Sequence, residues 1–316
     1  MRARTSDFRL SFGLLAAFVL LLSGCQLFRP KPEPPDPKAP PVPAGDTSKL
    51  TAERVVGYLN AQADRLQSIE ARDITLTARA QGNSPPSLDG TLLVQKPRYF
   101  KLTGKFLGSQ EVLVGSNEER FWFYIPRMQD ALMHCSYTDF EKGSVDLPFP
   151  FDPDWVLEAL GMAAIPKDAV RKIEFDDKKQ TVRLIEDATL HGQKVQKVTV
   201  CFQGRAKGDI PQVTGRIVYD DRGRVICRAT TKTVTRVPVG KSQDGEVVYA
   251  TVPQVVKLEW PAQDTELVID LGKVKINGQL PLESFQMPRL GSKQVDLGRD
   301  RPASRSGVVP ARGTSR

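Results

Sequence analysis

The sequence predicts a mainly β protein of the α+β class, with a single strongly curved antiparallel sheet whose concave side is covered by helices. Three observations lead to this fold class. Short apolar runs that alternate with polar residues recur along most of the chain, and turn-forming residues separate them. Two segments show the spacing of an amphipathic helix, one before the strands and one among them. No glycine-rich phosphate loop follows a strand, so a βαβ fold is disfavoured.

The N-terminus predicts export from the cytoplasm. Three arginines precede an apolar segment over 10–22, which is too short to span a bilayer, and Leu-Ser-Gly then leads to Cys25. This arrangement predicts a signal peptide over 1–24. It also resembles the lipobox of bacterial lipoproteins, in which the cysteine is acylated and becomes the first mature residue, and an ordinary signal peptide with a chance cysteine is the alternative. The acyl chains on Cys25 would hold the protein on a membrane.

Both ends of the mature chain are predicted to lie outside the folded domain. Residues 25–49 combine the lipid anchor with a Pro-rich spacer, a composition that favours polyproline II. Residues 291–316 form a basic tail that is predicted to be disordered, because it is rich in Gly, Ser and Arg and lacks aromatic residues. The tail carries much of the net charge of +8, but the export signal excludes nucleic acid as its partner. The folded domain is therefore expected over 50–290.

The two predicted helices flank a long series of strands. The first helix is predicted over 51–69, where apolar residues recur every three or four positions. The second is predicted over 152–160, because Asp152 is a favourable N-cap and Gly161 follows the last helical residue. Roughly ten antiparallel strands account for the remaining alternating segments. The residues Asp-Asp-Arg-Gly over 220–223 predict the turn of a hairpin.

The stretch 90–126 forms the centre of the predicted sheet. Its apolar runs, separated by Lys96-Pro97 and by two Gly-containing turns, predict an antiparallel meander. One face of the earlier strands is apolar and the other polar, so one face is expected to be buried. Over 121–125 both faces are bulky, which predicts a strand that is covered on both sides or carries its indole and hydroxyl groups to a solvated rim. The apolar face comprises Leu92, Val94, Phe100, Leu102, Phe106, Phe121 and Phe123. A period of two does not distinguish a packed core from the wall of a ligand cavity, so both interpretations stay open.

The same stretch resembles the bacterial lipoprotein-carrier superfamily, which includes LolA-like and LolB-like proteins. The resemblance rests on Gly-Thr-Leu-Leu-Val-Gln-Lys-Pro-Arg-Tyr-Phe over 90–100, Val-Leu-Val-Gly over 112–115 and Phe-Trp-Phe-Tyr-x-Pro over 121–126. The family fold is an incomplete antiparallel barrel lidded by helices, and its hydrophobic cavity receives the acyl chains of lipoproteins. The resemblance implies that the seven apolar residues line such a cavity. It also implies that Lys96 lies where the carrier has a basic residue that helps to latch the lid.

The resemblance and the predicted anchor together imply a lipid-anchored envelope protein that binds lipids or acylated lipoproteins and acts in their reception or transfer. By family analogy, Gln26 after the lipidated cysteine favours the periplasmic face of the outer membrane. The alternative is an anchored sensor or scaffold lipoprotein that uses the same fold without transport.

The residues themselves give little support for an enzyme. His134 and His191 are the only histidines of the sequence, and neither belongs to a metal-binding or Ser-His-Asp pattern. Adjacent acids lie in turn-like segments, where carboxylates are typically solvated. No catalytic residue, metal or cofactor is therefore predicted. Alternation places Cys201 and Cys227 on opposite faces of the sheet, so no disulfide between them is expected.

Overall fold

The computed structural model describes residues 51–127, 129–142, 145, 147, 152–176, 178, 181–190, 192–202, 212–290 and 293–299. The predicted signal peptide, Cys25, the spacer and most of the predicted tail lie outside the described residues. The predictions for those segments therefore stay predictions.

A continuous sheet contains every named strand of the described chain. The strands are β1 (Ser68–Ala80), β2 (Leu88–Gln95), β3 (Tyr99–Phe106), β4 (Ser109–Ser116), β5 (Arg120–Ile125), β6 (Gln129–Ser136), β7 (Val170–Asp176), β8 (Thr181–Leu190), β9 (Gln193–Phe202), β10 (Gln212–Tyr219), β11 (Val225–Lys241), β12 (Val247–Trp260), β13 (Thr265–Asp270), β14 (Val274–Ile276) and β15 (Lys293–Asp296). Their spatial order is β15-β6-β5-β4-β3-β2-β1-β13-β12-β11-β10-β9-β8-β7, with β14 also paired to β1. All pairs are antiparallel except β15 with β6. The predicted fold class, a curved antiparallel sheet with few helices, is confirmed.

The described chain contains three α-helices, α1 (Ala52–Asp64), α2 (Tyr137–Glu141) and α3 (Pro153–Ala159). Thr51 caps α1, because its side-chain oxygen accepts a hydrogen bond from the backbone N–H of Arg54 at 3.3 Å. Helix α1 ends five residues before the predicted position, since the chain turns at Arg65 and enters β1. The sequence did not predict α2, whose five residues are too few to show a helical period.

Helix α3 and the hairpin after β10 follow their sequence signals. The Asp152 carboxylate accepts hydrogen bonds from the backbone N–H groups of Asp154 and Trp155, as an N-cap does. Gly161 follows the helix with a φ of 75°, a left-handed conformation that glycine adopts without strain. Gly223, the last residue of the predicted hairpin turn, also has a positive φ of 76°.

The C-terminal part of the described chain crosses the convex side of the sheet. Phe285 is buried, and its ring centroid lies 5.4 Å from that of Tyr99 on β3. The chain then forms β15, which pairs in parallel with β6 over four residues. Four residues of the predicted tail therefore belong to the sheet, and the predicted domain boundary at 290 is too early.

Two hydrophobic clusters lie between the sheet and the helices. The larger cluster joins inward side chains of β1 to β6 and β11 to β13 with residues of α2 and α3. The smaller cluster joins the buried face of α1 to Ile165 and to residues of β8 and β9. Because the three helices contribute to these clusters, they cover the face that carries the predicted site residues.

Candidate functional site

The predicted inward face of β2, β3 and β5 is buried against helices α2 and α3. The Phe121 ring lies 4.9 Å from that of Phe140 and 5.8 Å from that of Tyr137, both on α2. Trp155 on α3 makes an edge contact with Trp260 on β12 at 5.7 Å. We call this larger cluster the aromatic core.

The aromatic core contains six of the seven predicted cavity residues, each no more than 3% exposed: Leu92, Val94, Phe100, Leu102, Phe121 and Phe123. Phe106 is half-buried and lies outside the cluster. The described residues also form pockets on the outer face of β2 to β4, beside β8 to β10 and beside helix α1, and other residues line these pockets. In this conformation, the six residues fill the space that a ligand chain would need.

Lys96, the predicted latch residue, contacts helix α1. It lies in the turn between β2 and β3, next to the cis Lys96-Pro97 peptide bond, and its Nζ donates a hydrogen bond to the Ala63 carbonyl oxygen at 2.8 Å. Burial lowers the pKa of the Lys96 amine, and the nearby Asp64 carboxylate partly opposes this shift. The amine therefore holds a carbonyl of the last helical turn, where the helix leaves carbonyl groups without intrahelical donors.

Arg98, two residues further along the same turn, contacts the other two helices. Its Nη2 lies 3.1 Å from Oε1 of Glu141 on α2 and 2.9 Å from Oδ2 of Asp154 on α3. Its guanidinium also stacks over the Tyr137 ring, 4.2 Å from the centroid. We call Lys96 and Arg98 the basic turn. Together these two side chains reach all three helices of the described chain, and the sequence interpretation missed Arg98.

Two further side chains fix α1. The Asn60 amide nitrogen donates to the Ile165 carbonyl oxygen at 2.8 Å, and the Ile165 N–H donates to the Asn60 amide oxygen at 2.7 Å. The Arg65 guanidinium, just after the helix, donates to the Tyr249 carbonyl oxygen at 2.9 Å. Helix α1 is thus held by a small number of polar contacts in addition to its apolar face.

A row of polar and charged side chains crosses β8, β9 and β10 on the concave face. The strand register places Glu186 opposite Lys197, and Thr199 opposite Arg216. Glu186, Thr199 and Arg216 are 6%, 1% and 8% exposed, so water solvates them poorly. Lys197 forms an ion pair with Glu158 of α3, with 2.6 Å between Nζ and Oε1. We call Glu186, Lys197, Thr199 and Arg216 the charged row.

Burial governs the titration of the groups in and beside this row. It raises the pKa of the Glu186 carboxyl, and the Arg216 guanidinium only partly opposes the shift. Burial also raises the pKa of Asp152, the N-cap of α3, to about 6. Burial alone would lower the pKa of Lys197, but the adjacent Glu158 carboxylate outweighs it and the pKa lies above its usual value.

The charged row corrects the predicted orientation of β9. The sequence placed Cys201, with Lys197 and Thr199, on the face opposite Cys227, but all four side chains face the concave side. Cys201 and Cys227 are both free, as predicted. The physical reason is different from the predicted one: β10 lies between their strands, and two strand spacings of about 4.8 Å exceed the reach of a disulfide.

Three further features of the described chain concern membrane-spanning helices, metal binding and exposed apolar residues. None of its helices is long and apolar enough to cross a bilayer. The described residues hold no group of three or more His, Cys, Asp or Glu side chains arranged to bind a metal ion. Leu107, at the tip of the β3–β4 hairpin, is 92% exposed.

No family model matches the chain, and no curated protein matches it either. Solved structures of similar architecture include a DUF1329 family protein from Desulfovibrio piger, which is 13% identical with a TM-score of 0.48 over 74% of this chain and 95% of that chain. A putative outer membrane lipoprotein-sorting protein domain from Vibrio parahaemolyticus is 11% identical, with a TM-score of 0.46 over 74% and 95%. A LolA superfamily protein from Nitrosomonas europaea is 12% identical, with a TM-score of 0.43 over 73% and 97%. The described chain itself has the architecture that the sequence predicted, a curved open antiparallel sheet with helices on its concave side.

Proposed function

We propose that the protein is a lipid-anchored envelope protein that holds acyl chains of lipids or lipoproteins between its sheet and its helices. In this proposal the protein acts in lipoprotein or lipid reception or transfer and catalyses no reaction. Cys25 carries the anchor, and the protein faces the periplasm from the outer membrane. Its partners are the membrane, through the anchor, and an acylated lipoprotein or lipid ligand.

The observation that supports the proposal most is that the two side chains of the basic turn contact all three helices of the described chain. Lys96 contacts α1, and Arg98 contacts α2 and α3. The backbone hydrogen bonds of the sheet do not involve the helices, so the helices can move away without breaking the strand pairing. Release of the Arg98 side chain would therefore loosen α2 and α3, the two helices that contribute to the aromatic core, and release of Lys96 would loosen α1.

Replacement of the helices by an acyl chain would offset the apolar burial that is lost when the helices move away from the sheet. When the helices move, inward residues such as Phe100 and Phe121 lose apolar contacts, which costs about 25 cal/mol per Å² of exposed apolar surface. An acyl chain that takes the place of the helices restores this burial and removes its own methylene groups from water, at about 0.8 kcal/mol each. We therefore assign ligand binding to the predicted set, Leu92, Val94, Phe100, Leu102, Phe106, Phe121 and Phe123, in an open conformation.

The proposal is tested with the full-length protein, purified in detergent and exchanged onto vesicles. Lipid extraction followed by mass spectrometry should identify co-purified acyl lipid, and the protein should take a fluorescent acylated peptide from donor vesicles. The Arg98→Met variant loses the ion pairs with Glu141 of α2 and Asp154 of α3, together worth about 1 kcal/mol at these partly exposed positions, so hydrogen exchange in α2 and α3 should be about five times faster. Uptake of the acylated peptide should accelerate by a similar factor.

The matched control is Lys105→Met, which removes an exposed lysine from the neighbouring strand β3. This variant should behave as the wild type in both assays. A wild-type protein that carries no lipid and takes up no acylated peptide would contradict the proposal. Uptake without release to acceptor vesicles would favour the sensor or scaffold alternative over transfer.

A further inference from the structure

A small cavity lies beside helix α1, and none of the seven residues assigned to acyl binding lines it. Its volume is about 60 Å³, and its lining includes Tyr58 and Gln62 of α1, Ala163 after α3 and Arg216 of β10. A single water needs about 10 to 15 Å³ of such space, so the cavity has room for a larger polar group. We call it the arginine cavity.

Two buried polar atoms of the cavity lining have no hydrogen-bond partner among the described residues. They are Nε of Arg216 and Oε1 of Gln62. The Arg216 side chain has its Nη1 3.5 Å from Thr199 Oγ1, and the residue is 8% exposed. Because more than nine in ten buried polar groups are normally paired, the orphaned Arg216 N–H indicates a missing acceptor. The Gln62 oxygen is itself an acceptor and would need a donor instead.

The surroundings of the cavity are electropositive. Arg65 and Arg236 both act to lower the pKa of the Tyr58 hydroxyl, although burial outweighs them and raises that pKa to about 12. Both guanidinium groups are held in place, since Arg65 donates to the Tyr249 carbonyl oxygen and Arg236 stacks on the Tyr249 ring at 4.9 Å. Tyr58 therefore stays protonated at neutral pH and can donate a hydrogen bond.

The buried Glu186 carboxylate is the acid that acts on Arg216. It is on β8, two strands from Arg216, and the Arg216 guanidinium lowers its pKa while burial raises it. A guanidinium has five N–H donors, and Thr199 accepts from only one of them. Donor capacity and positive charge thus remain available for a ligand.

We propose that the arginine cavity binds an oxyanion of the phosphate class, with Arg216 and Tyr58 as donors. Arg65 and Arg236 add positive potential around the site. The oxyanion could be the phosphate group of a lipid headgroup, and the site would then select which lipid the protein carries. In that case the inference rests on the proposed function and deepens it. Free phosphate or a soluble phosphate ester supplies the same chemistry.

The first experiment titrates inorganic phosphate into the full-length protein and follows ³¹P line broadening. The second measures uptake of fluorescent phosphatidylglycerol and of fluorescent diacylglycerol from vesicles. Arg216→Gln should weaken phosphate binding tenfold or more, whereas Arg222→Gln, an exposed arginine in the adjacent turn, should not. Because Arg216→Gln alters a buried position, the partly exposed Ala163 supplies a second comparison: Ala163→Asp adds a negative charge to the lining, and Ala163→Asn has nearly the same shape without charge.

The expected result is that Ala163→Asp loses anion binding and Ala163→Asn retains most of it. Loss of phosphate binding with unchanged lipid preference would assign the site to a free phosphate, and loss of the preference for phosphatidylglycerol would assign it to a headgroup. Equal behaviour of the Asp and Asn variants in both assays would overturn the inference. Uptake of diacylglycerol by the wild type tests the proposed function separately, because diacylglycerol carries no phosphate.

Discussion

The aromatic core and the charged row lie on the same concave face, but they differ in the contacts that stabilise their buried side chains. The core consists of closely packed apolar residues with rings stacked edge to face. In the charged row, Glu186 and Arg216 are buried and each depends on partners from other strands. The comparison shows that one sheet face can provide both a surface for acyl chains and a polar site beside it.

The largest effect is expected in the aromatic core. Phe100→Ala should lower the free energy of unfolding by about 3 to 5 kcal/mol, because it removes a buried ring and leaves a cavity. Guanidinium unfolding followed by tryptophan fluorescence measures the change, and Leu107→Ala, at a 92% exposed position, should change it little. A loss below 1 kcal/mol for Phe100→Ala would mean that the ring already faces an open space.

A smaller effect is expected from breaking the charged row. Glu186→Leu should destabilise the protein by about 1 to 3 kcal/mol, because Thr199 loses a buried hydrogen-bond partner and the positive charge of Arg216 loses a nearby carboxylate. The double variant Glu186→Leu with Arg216→Met should recover most of that loss, since no buried charge is then left alone. Additive losses in a double-mutant cycle would show that the two side chains do not act as a pair.

The smallest effect is expected at the edge between the two regions, where Asp152 caps α3. Its pKa is about 6 in the folded protein and about 3.8 in an unfolded chain, so the folded state favours the neutral acid. The stability gained from this preference is present below pH 3.8 and is lost as pH rises through about 6.

Asp152→Asn resembles the neutral acid and keeps an N-cap oxygen. The variant should therefore be more stable than the wild type by about 1 kcal/mol at pH 7.5 and equally stable near pH 4. Thermal unfolding at both pH values measures the difference. A wild type that is the more stable of the two at pH 7.5 would show that the charged carboxylate is favoured by its hydrogen bonds.

The sequence predicted the aromatic core better than the charged row. In β2 and β3 the inward apolar residues occupy alternate positions, and in β5 Phe121 and Phe123 flank the equally buried Trp122, so the period of two identified six buried residues correctly. In β9, local alternation placed Cys201, Lys197 and Thr199 on the outer face, yet Lys197 and Thr199 face inward and Phe202 is 44% exposed. This orientation depends on partners such as Glu158, 39 residues away in the chain, which local alternation does not reveal.

The contacts of the helices also divide into those that neighbouring residues specify and those between residues distant in the chain. Local signals identified the caps at Thr51 and Asp152, because a cap is specified by neighbouring residues. Arg98 reaches helices that begin some forty or more residues later in the chain. Its role follows from the folding of the sheet and has no local signature.

The parallel pairing of β15 with β6 affects how the sheet is protected in solution. An open sheet exposes unpaired N–H and C=O groups along its outer strands, and such edges promote association with other chains. β15 covers the edge of β6, whose Ala131, Leu132 and Met133 are all buried. By covering this edge, β15 should reduce self-association of the protein. A protein that ends at residue 290 would expose the edge of β6 to other copies of the chain.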